Sequence, residues 1–117
     1  MLIIRKEQIE IMSTYQVKRF IKDCIEFKKQ FWPETDIDLS EKELNEKIRK
    51  IVSTADGYGI KEEELVLRFL NLEYALGPDF DSSGQHDWVP GILADENINS
   101  LDKIEQLEEK VEQVLSE

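Results

Sequence analysis

Cysteine and histidine are almost missing from the sequence, since each occurs once, as Cys24 and His86. A single cysteine excludes an intramolecular disulfide framework and fits a reducing compartment. One histidine restricts any catalytic triad, and a zinc site would require His86, Cys24 and loop carboxylates to converge. The serines lack a G-x-S-x-G context, and the five glycines form no phosphate-binding loop. We therefore expect no catalytic residue, no metal and no cofactor, which indicates that the protein is not an enzyme.

Long hydrophobic runs are missing as well. The apolar run Met1–Ile4 is too short for the core of a signal peptide, and the charges of Arg5 and Lys6 follow it instead of preceding it. Nothing approaches the roughly eighteen consecutive apolar residues of a membrane span. We expect a cytoplasmic protein that contacts no membrane.

Positive charge is scarce, because 15 Lys and Arg stand against 26 Asp and Glu, for a net charge of −11. This balance excludes a nucleic-acid binder that works through a general basic surface, and it argues against binding to anionic membranes. Residues 1–58 carry 11 basic and 11 acidic residues, whereas residues 59–117 carry 4 basic and 15 acidic ones. The acidic second half indicates either solvated helix faces or a surface that steers a basic partner.

Helical periodicity is what the sequence has in quantity. Apolar residues recur at steps of three and four, which predicts helices over residues 5–31, 40–56, 61–76 and 101–115. With roughly 150 residues as the prior for one domain, the 117 residues form a single domain, 1–117. The predicted fold class is all-α, a compact bundle of about four helices with an irregular loop at 77–99.

Capping signals set the predicted helix ends. Ser40 and Glu43 form a capping box at the start of the second helix, and Gly57 is expected to supply its left-handed stop. The third helix has the widest apolar side and is expected to be the most buried element. Ser100 is the expected N-cap of the last helix, and a short helical turn is expected around Trp88–Leu93.

The loop from Asp79 to Gly84 is the one stretch that looks like a metal site. It matches the first six positions of an EF-hand loop, with oxygen ligands at positions 1, 3 and 5 and glycine at position 6. Position 12 should be a bidentate Glu and is Pro90. The sequence therefore favours an Asx-type turn over a calcium-responsive switch.

Aromatic residues lie in or beside the predicted loops. Such residues either plug the ends of a bundle or serve as binding anchors, since Trp and Tyr dominate interface hot spots. The neighbouring carboxylates are suitable acceptors for basic groups of a partner. We predict a partner-binding set formed by Tyr58, Asp79, Phe80, Asp81, Asp87 and Trp88.

The order of these loop motifs carries a family resemblance. Phe31-Trp32-Pro33 is followed by Tyr58-Gly59-Ile60, by Leu76-Gly77-Pro78-Asp79-Phe80-Asp81, and by Trp88 with Ile92-Leu93. Over residues 5–110 this succession resembles small all-helical proteins encoded beside PAAR-type spike and effector genes in type VI secretion clusters. The resemblance implies an accessory protein that acts in the producing cell by binding, as an adaptor or chaperone that holds a spike or effector segment before loading.

An alternative function rests on charge. An acidic helical domain can act as an immunity protein or antitoxin by covering the basic cleft of a nuclease. In either case the expected partner is another protein. The 3-4-3 apolar spacing from Ile104 to Val114 and the single cysteine are compatible with a monomer or a homodimer.

Overall fold

The computed structural model describes residues 14–115, which form five helices. We number them α1 (Thr14–Phe31), α2 (Glu41–Gly57), α3 (Glu63–Leu76), α4 (Trp88–Leu93) and α5 (Ser100–Leu115). Within residues 14–115 there is no strand, so the predicted all-α bundle is confirmed. The turn predicted around Trp88–Leu93 is α4. The portion of the first predicted helix over residues 5–13 lies outside the described residues.

The start of α2 is closed by hydrogen bonds that its sequence encodes. Ser40 Oγ accepts from the Glu43 amide at 3.1 Å, and the Glu43 carboxylate accepts from the Ser40 amide at 3.2 Å. Two amides that would otherwise lack a partner at the helix start are thereby satisfied. The predicted capping box is confirmed.

The prediction that Gly57 supplies the left-handed stop of α2 is wrong. Gly57 is the last helical residue, and the left-handed residue is Gly59, with φ 83°. The amide of Gly59 donates to the Asp56 carbonyl and that of Ile60 to the Ala55 carbonyl, each at 3.0 Å, which is the Schellman arrangement. This arrangement brings Ile60, which is fully buried, into the core directly after the turn. The burial of Ile60 thus favours a turn at Gly59.

The cap of α5 lies one residue before the predicted one. Asn99 Oδ1 accepts from the Asp102 amide at 2.8 Å. Ser100 is the first helical residue, and its hydroxyl donates to the Glu62 carboxylate at 2.9 Å. Because Asn and Ser are about equally good N-caps, the two neighbouring residues could not be separated by sequence alone.

Helix α3 is the centre of the bundle, as its wide apolar side predicts. It packs against α1, α2 and α5, while α4 packs against α5. Among residues 14–115, α1 and α5 do not pack against each other. The largest fully buried side chains are Phe69, Phe80, Ile21, Ile48, Ile60, Leu70, Leu93, Ile104, Leu107, Val89 and Cys24. In the part of the chain that the structure describes, these three helices leave one stripe of α3 without a helix over it.

A polar cluster fastens the connection between α1 and α2 to the rest of the bundle. The Asp36 carboxylate accepts from Lys47 Nζ on α2 and from the Tyr74 hydroxyl on α3, each at 2.8 Å. Trp32 Nε1 donates to Asn71 Oδ1 at 2.9 Å, and its indole stacks on Tyr74. Burial alone would raise the pKa of Asp36, but the hydrogen bonds from Lys47 and Tyr74 outweigh it and hold that pKa below its usual value.

We expect the Asp36→Asn variant to be less stable than the wild type by about 1–2 kcal/mol at pH 7, because it loses a charge-assisted hydrogen bond. A lowered pKa stabilises the fold above the unfolded-state value of roughly 3.9, and this stabilisation is lost as pH falls through the folded-state pKa. The difference between wild type and variant should therefore shrink between pH 5 and the acid limit of folding. Urea unfolding across that range measures it. The control is Asp38→Asn, because Asp38 is an exposed carboxylate two residues away. A stability difference between wild type and Asp36→Asn that does not change with pH would contradict the lowered pKa of Asp36.

Candidate functional site

The turn that follows α3 is held by hydrogen bonds to the backbone of Asp79. Gly77 ends the helix with φ 105°, and Asp79 adopts a left-handed backbone with φ 56°. The Asp79 amide donates to Glu73 Oε2 at 3.0 Å, and its carbonyl accepts from the amides of Ser82 and Ser83. The segment that resembles half of an EF-hand loop is thus a tight turn tied to the end of α3.

Phe80 was predicted as an exposed anchor for a partner, and this prediction is wrong. Its side chain is 1% exposed, and its ring lies 5.2 Å from the ring of Phe69 in the centre of α3. A large apolar ring gains more from filling the core below the loop than from staying in water. Phe80 therefore plugs one end of the bundle.

Tyr58 and Asp81 link three parts of the chain. The Tyr58 hydroxyl donates to Asp81 Oδ2 at 2.8 Å, and the Tyr58 carbonyl accepts from Lys103 Nζ of α5 at 3.0 Å. Burial, together with the hydrogen bond to Asp81 and the charge of this carboxylate, raises the pKa of Tyr58 to about 12. Both side chains are half-buried and already partnered, so their contacts are structural.

The remaining members of the predicted set are at the surface or near it. Trp88 begins α4, is half-buried against the core, and lies with its ring 5.2 Å from that of His86. Asp79 and Asp87 are exposed. The structure thus leaves the carboxylates of Asp79 and Asp87 exposed and the indole of Trp88 half-buried.

Two small clefts lie beside this turn and share Lys47, Glu73 and Pro78. Their volumes are about 130 and 160 Å³, which is small beside the roughly 300–1,000 Å³ of ligand pockets. Burial raises the pKa of Glu73, although the hydrogen bond from the Asp79 amide acts in the opposite direction. No group of three or more His, Cys, Asp or Glu residues in the described part of the chain is placed to hold a metal ion.

Cys24 lies in the core and not in a cleft. It is fully buried on α1, and this burial is the main reason that the pKa of its thiol rises to about 12. At neutral pH the thiol is therefore protonated, which makes it a poor nucleophile and a poor metal ligand.

An open depression follows the stripe of α3 that no described helix covers. The stripe consists of Glu64, Leu67, Arg68 and Asn71, at the spacing of one helix face. On one side α1 contributes Phe27 and Phe31; on the other Asn99, Ser100 and Leu101 flank it at the start of α5. The two adjoining cavities, of about 410 and 480 Å³, share Glu64 and Arg68. We call this surface the α3 trough.

The α3 trough exposes apolar side chains. The rings of Phe27 and Phe31 lie 4.8 Å apart, and Phe31 is 57% exposed. Leu67 is half-buried on the floor, and Leu101 is 43% exposed on the opposite side. An exposed ring such as Phe31, packed against the half-buried Phe27 and beside further apolar side chains, is typical of surfaces that bind other proteins.

Carboxylates lie near Arg68, the one cation among the described residues that line the α3 trough. The Arg68 guanidinium makes two hydrogen bonds to the Glu108 carboxylate, one of them from Nε at 3.0 Å. These bonds are the largest cause of the raised pKa of Arg68, and the charges of Glu64 and Glu105 act in the same direction. Three negative charges around one positive charge leave this part of the surface negative.

Phe27 and Phe31 were not in the predicted binding set, because sequence periodicity placed both on the core face of the first helix. Phe31 does follow that periodicity, but it is the last residue of α1, where no described element covers its ring. Lys28 takes an inner position instead and is buried. The signal in the sequence was the aromatic run Phe31-Trp32 directly before Pro33, because a helix end leaves its last side chain partly uncovered.

Comparisons with known proteins do not assign the chain to a family. No family model, no curated protein and no solved structure matches the chain. Between Thr14 and Leu115, no helix combines the length and apolar character needed to cross a bilayer. Function is therefore inferred from the contacts, burial and charge of the described residues, together with the resemblance noted above.

Because Phe80 is buried in the core, Phe80→Ala should lower the free energy of unfolding by about 3–5 kcal/mol, the range found for buried aromatic rings. Urea unfolding followed by circular dichroism measures this loss. The matched control is Phe31→Ala, which removes a ring of the same size from the surface and should cost far less. A loss below about 1 kcal/mol for Phe80→Ala would show that the loop ring lies outside the core.

Proposed function

We propose that this protein is a non-catalytic protein-binding module, an adaptor or chaperone for a type VI secretion effector or a PAAR-type spike protein. The observation that carries the proposal is the α3 trough, with Phe31 uncovered beside Phe27 and Leu67. The context of secretion comes from the resemblance of the loop motifs. The module would hold a segment of its partner in the producing cell before that segment is loaded.

The energetics of the α3 trough favour binding over a purely structural role. Exposed apolar surface is unfavourable in water by roughly 25 cal/mol per Å², and covering it with a partner recovers this free energy. Aromatic rings in a concave surface are the usual hot spots of protein interfaces. Phe27 and Phe31 form a ring pair in such a position, whereas Phe80 contributes only to the fold.

A second candidate function is supported by the charge near the α3 trough. Glu64, Glu105 and Glu108 gather around Arg68, so this side of the bundle suits a partner with a basic cleft. An immunity protein or antitoxin that covers the active site of a nuclease would use such a surface. Both functions require the same trough, and they differ in whether binding protects the cell.

Capture of the partner by tagged protein, at low and high salt, tests the proposal. We expect the effector or spike protein encoded beside the gene to be recovered at both salts, because the apolar contacts are not screened. Phe31→Ser should reduce the recovered amount about tenfold, since it removes the exposed ring. The control is Ile37→Ser, because Ile37 is 74% exposed and lies outside the trough.

Three outcomes would contradict the proposal or redirect it. Equal recovery by wild type and Phe31→Ser would exclude the α3 trough as the binding surface. Recovery at low salt only would place binding on the exposed charges, which are screened within roughly 10 Å at 0.1 M salt. Rescue of cells from the toxicity of the captured partner would favour the immunity function over an adaptor, which alters secretion or solubility without protection.

A further inference from the structure

We propose that the segment bound in the α3 trough is a basic amphipathic helix of the partner. This inference rests on the proposed function and specifies the chemistry of the ligand. It follows from three features of the trough: its shape, its apolar side chains and its charge.

The shape of the α3 trough suits a helix. Helices α1 and α5 both pack on α3, yet within the described residues they do not pack on each other. Between them the uncovered stripe of α3 runs over Glu64, Leu67, Arg68 and Asn71, two turns of helix at i, i+3, i+4 and i+7 spacing. This is the spacing at which one helix presents a face to another, with axes roughly 8–10 Å apart. A helix laid along the stripe would complete the set of helices around α3.

The apolar side chains specify an amphipathic occupant. Phe27, Phe31 and Leu67 line one cavity, and Leu101 lies at the far side of the other. Apolar residues of the occupant at three- and four-residue steps would reach the two cavities in turn. A peptide without such a face would leave the ring of Phe31 in water.

The charge specifies a basic occupant. Glu64, Glu105 and Glu108 all act on Arg68, and Glu62 and Glu63 are exposed beside the start of α3. Among the described residues, Arg68 is the one cation that lines either cavity. Lys29, the exposed lysine closest in sequence to Phe31, pairs with Glu41 of α2 at 3.2 Å. Lys and Arg on the flank of an occupant that faces α5 would meet the carboxylates of α3 and α5, whereas an acidic helix would be repelled.

A pair of synthetic peptides tests the inference without knowledge of the natural ligand. The first is a helix of about 18 residues, roughly 27 Å long, made of Leu and Lys at amphipathic spacing. The second carries Glu in place of every Lys. Fluorescence anisotropy at about 0.15 M salt, where screening by salt limits long-range attraction, should show at least tenfold tighter binding of the Leu-Lys peptide to the full chain.

Matched variants separate the α3 trough from the general acidity of the protein. Glu62→Gln with Glu64→Gln should weaken binding of the Leu-Lys peptide at least threefold, because both exposed carboxylates line the cavity at the start of α5. Glu46→Gln with Glu96→Gln removes the same two charges from exposed positions outside the trough and should change binding less than twofold. Phe31→Ser should weaken binding about tenfold, and Ile37→Ser should not. Equal effects of the two double variants would overturn the inference.

Two further outcomes would also overturn it. If light scattering shows a dimer of the wild type that Phe31→Ser converts to a monomer, the occupant is a second copy of this chain. If the natural partner is captured in a Phe31-dependent manner but neither peptide binds, the occupant is not a basic helix, while the proposed function stands. Failure of capture together with binding of the Leu-Lys peptide would leave the site intact and remove the proposed function.

Discussion

The structure depends on the burial of α3. Leu65, Val66, Phe69, Leu70 and Leu72 make most of its circumference apolar, and no single neighbour can cover so wide a surface. Three helices pack on it instead, and the chain has to be arranged so that each of them reaches α3. Within residues 14–115, no further helix packs over the stripe at Glu64, Leu67, Arg68 and Asn71. The proposed binding surface is therefore the part of the central helix that the described neighbours leave accessible.

The same constraint explains why the loop after α3 is structural. With Phe69 at the centre of the core, the end of α3 would be open to water without a further ring, and Phe80 supplies it. Tyr58 and Asp81 then fix the loop against the end of α2. Side chains engaged in this way would have to break native contacts before they could bind a partner. The acidic and aromatic residues of the loop suggested a binding site, but Phe80 and Asp81 instead make contacts that close this end of the bundle.

Local sequence signals predicted the helices, the capping box and the central position of α3, because periodicity and caps depend on residues within one or two turns. The roles of the phenylalanines could not be predicted in this way. Phe80 lies in a loop and is buried, whereas Phe31 lies on an apolar helix face and is exposed. Whether a ring is covered depends on which distant helix lies over it, and that is set by the packing around α3. The shift from Gly57 to Gly59 has a similar cause, since the burial of Ile60 selects the turn.

The fold brings several carboxylates from the acidic second half of the sequence to one side of the bundle. Since α3 and α5 pack together, their carboxylates lie on neighbouring helices, and Glu64, Glu105 and Glu108 all act on Arg68. Like charges on neighbouring helices repel one another, and the single positive charge of Arg68 offsets only part of the repulsion. A basic segment bound in the α3 trough would offset more of it while covering Phe31. Charge and apolar surface thus favour the same occupant, although the two features come from different helices and neither alone would specify it.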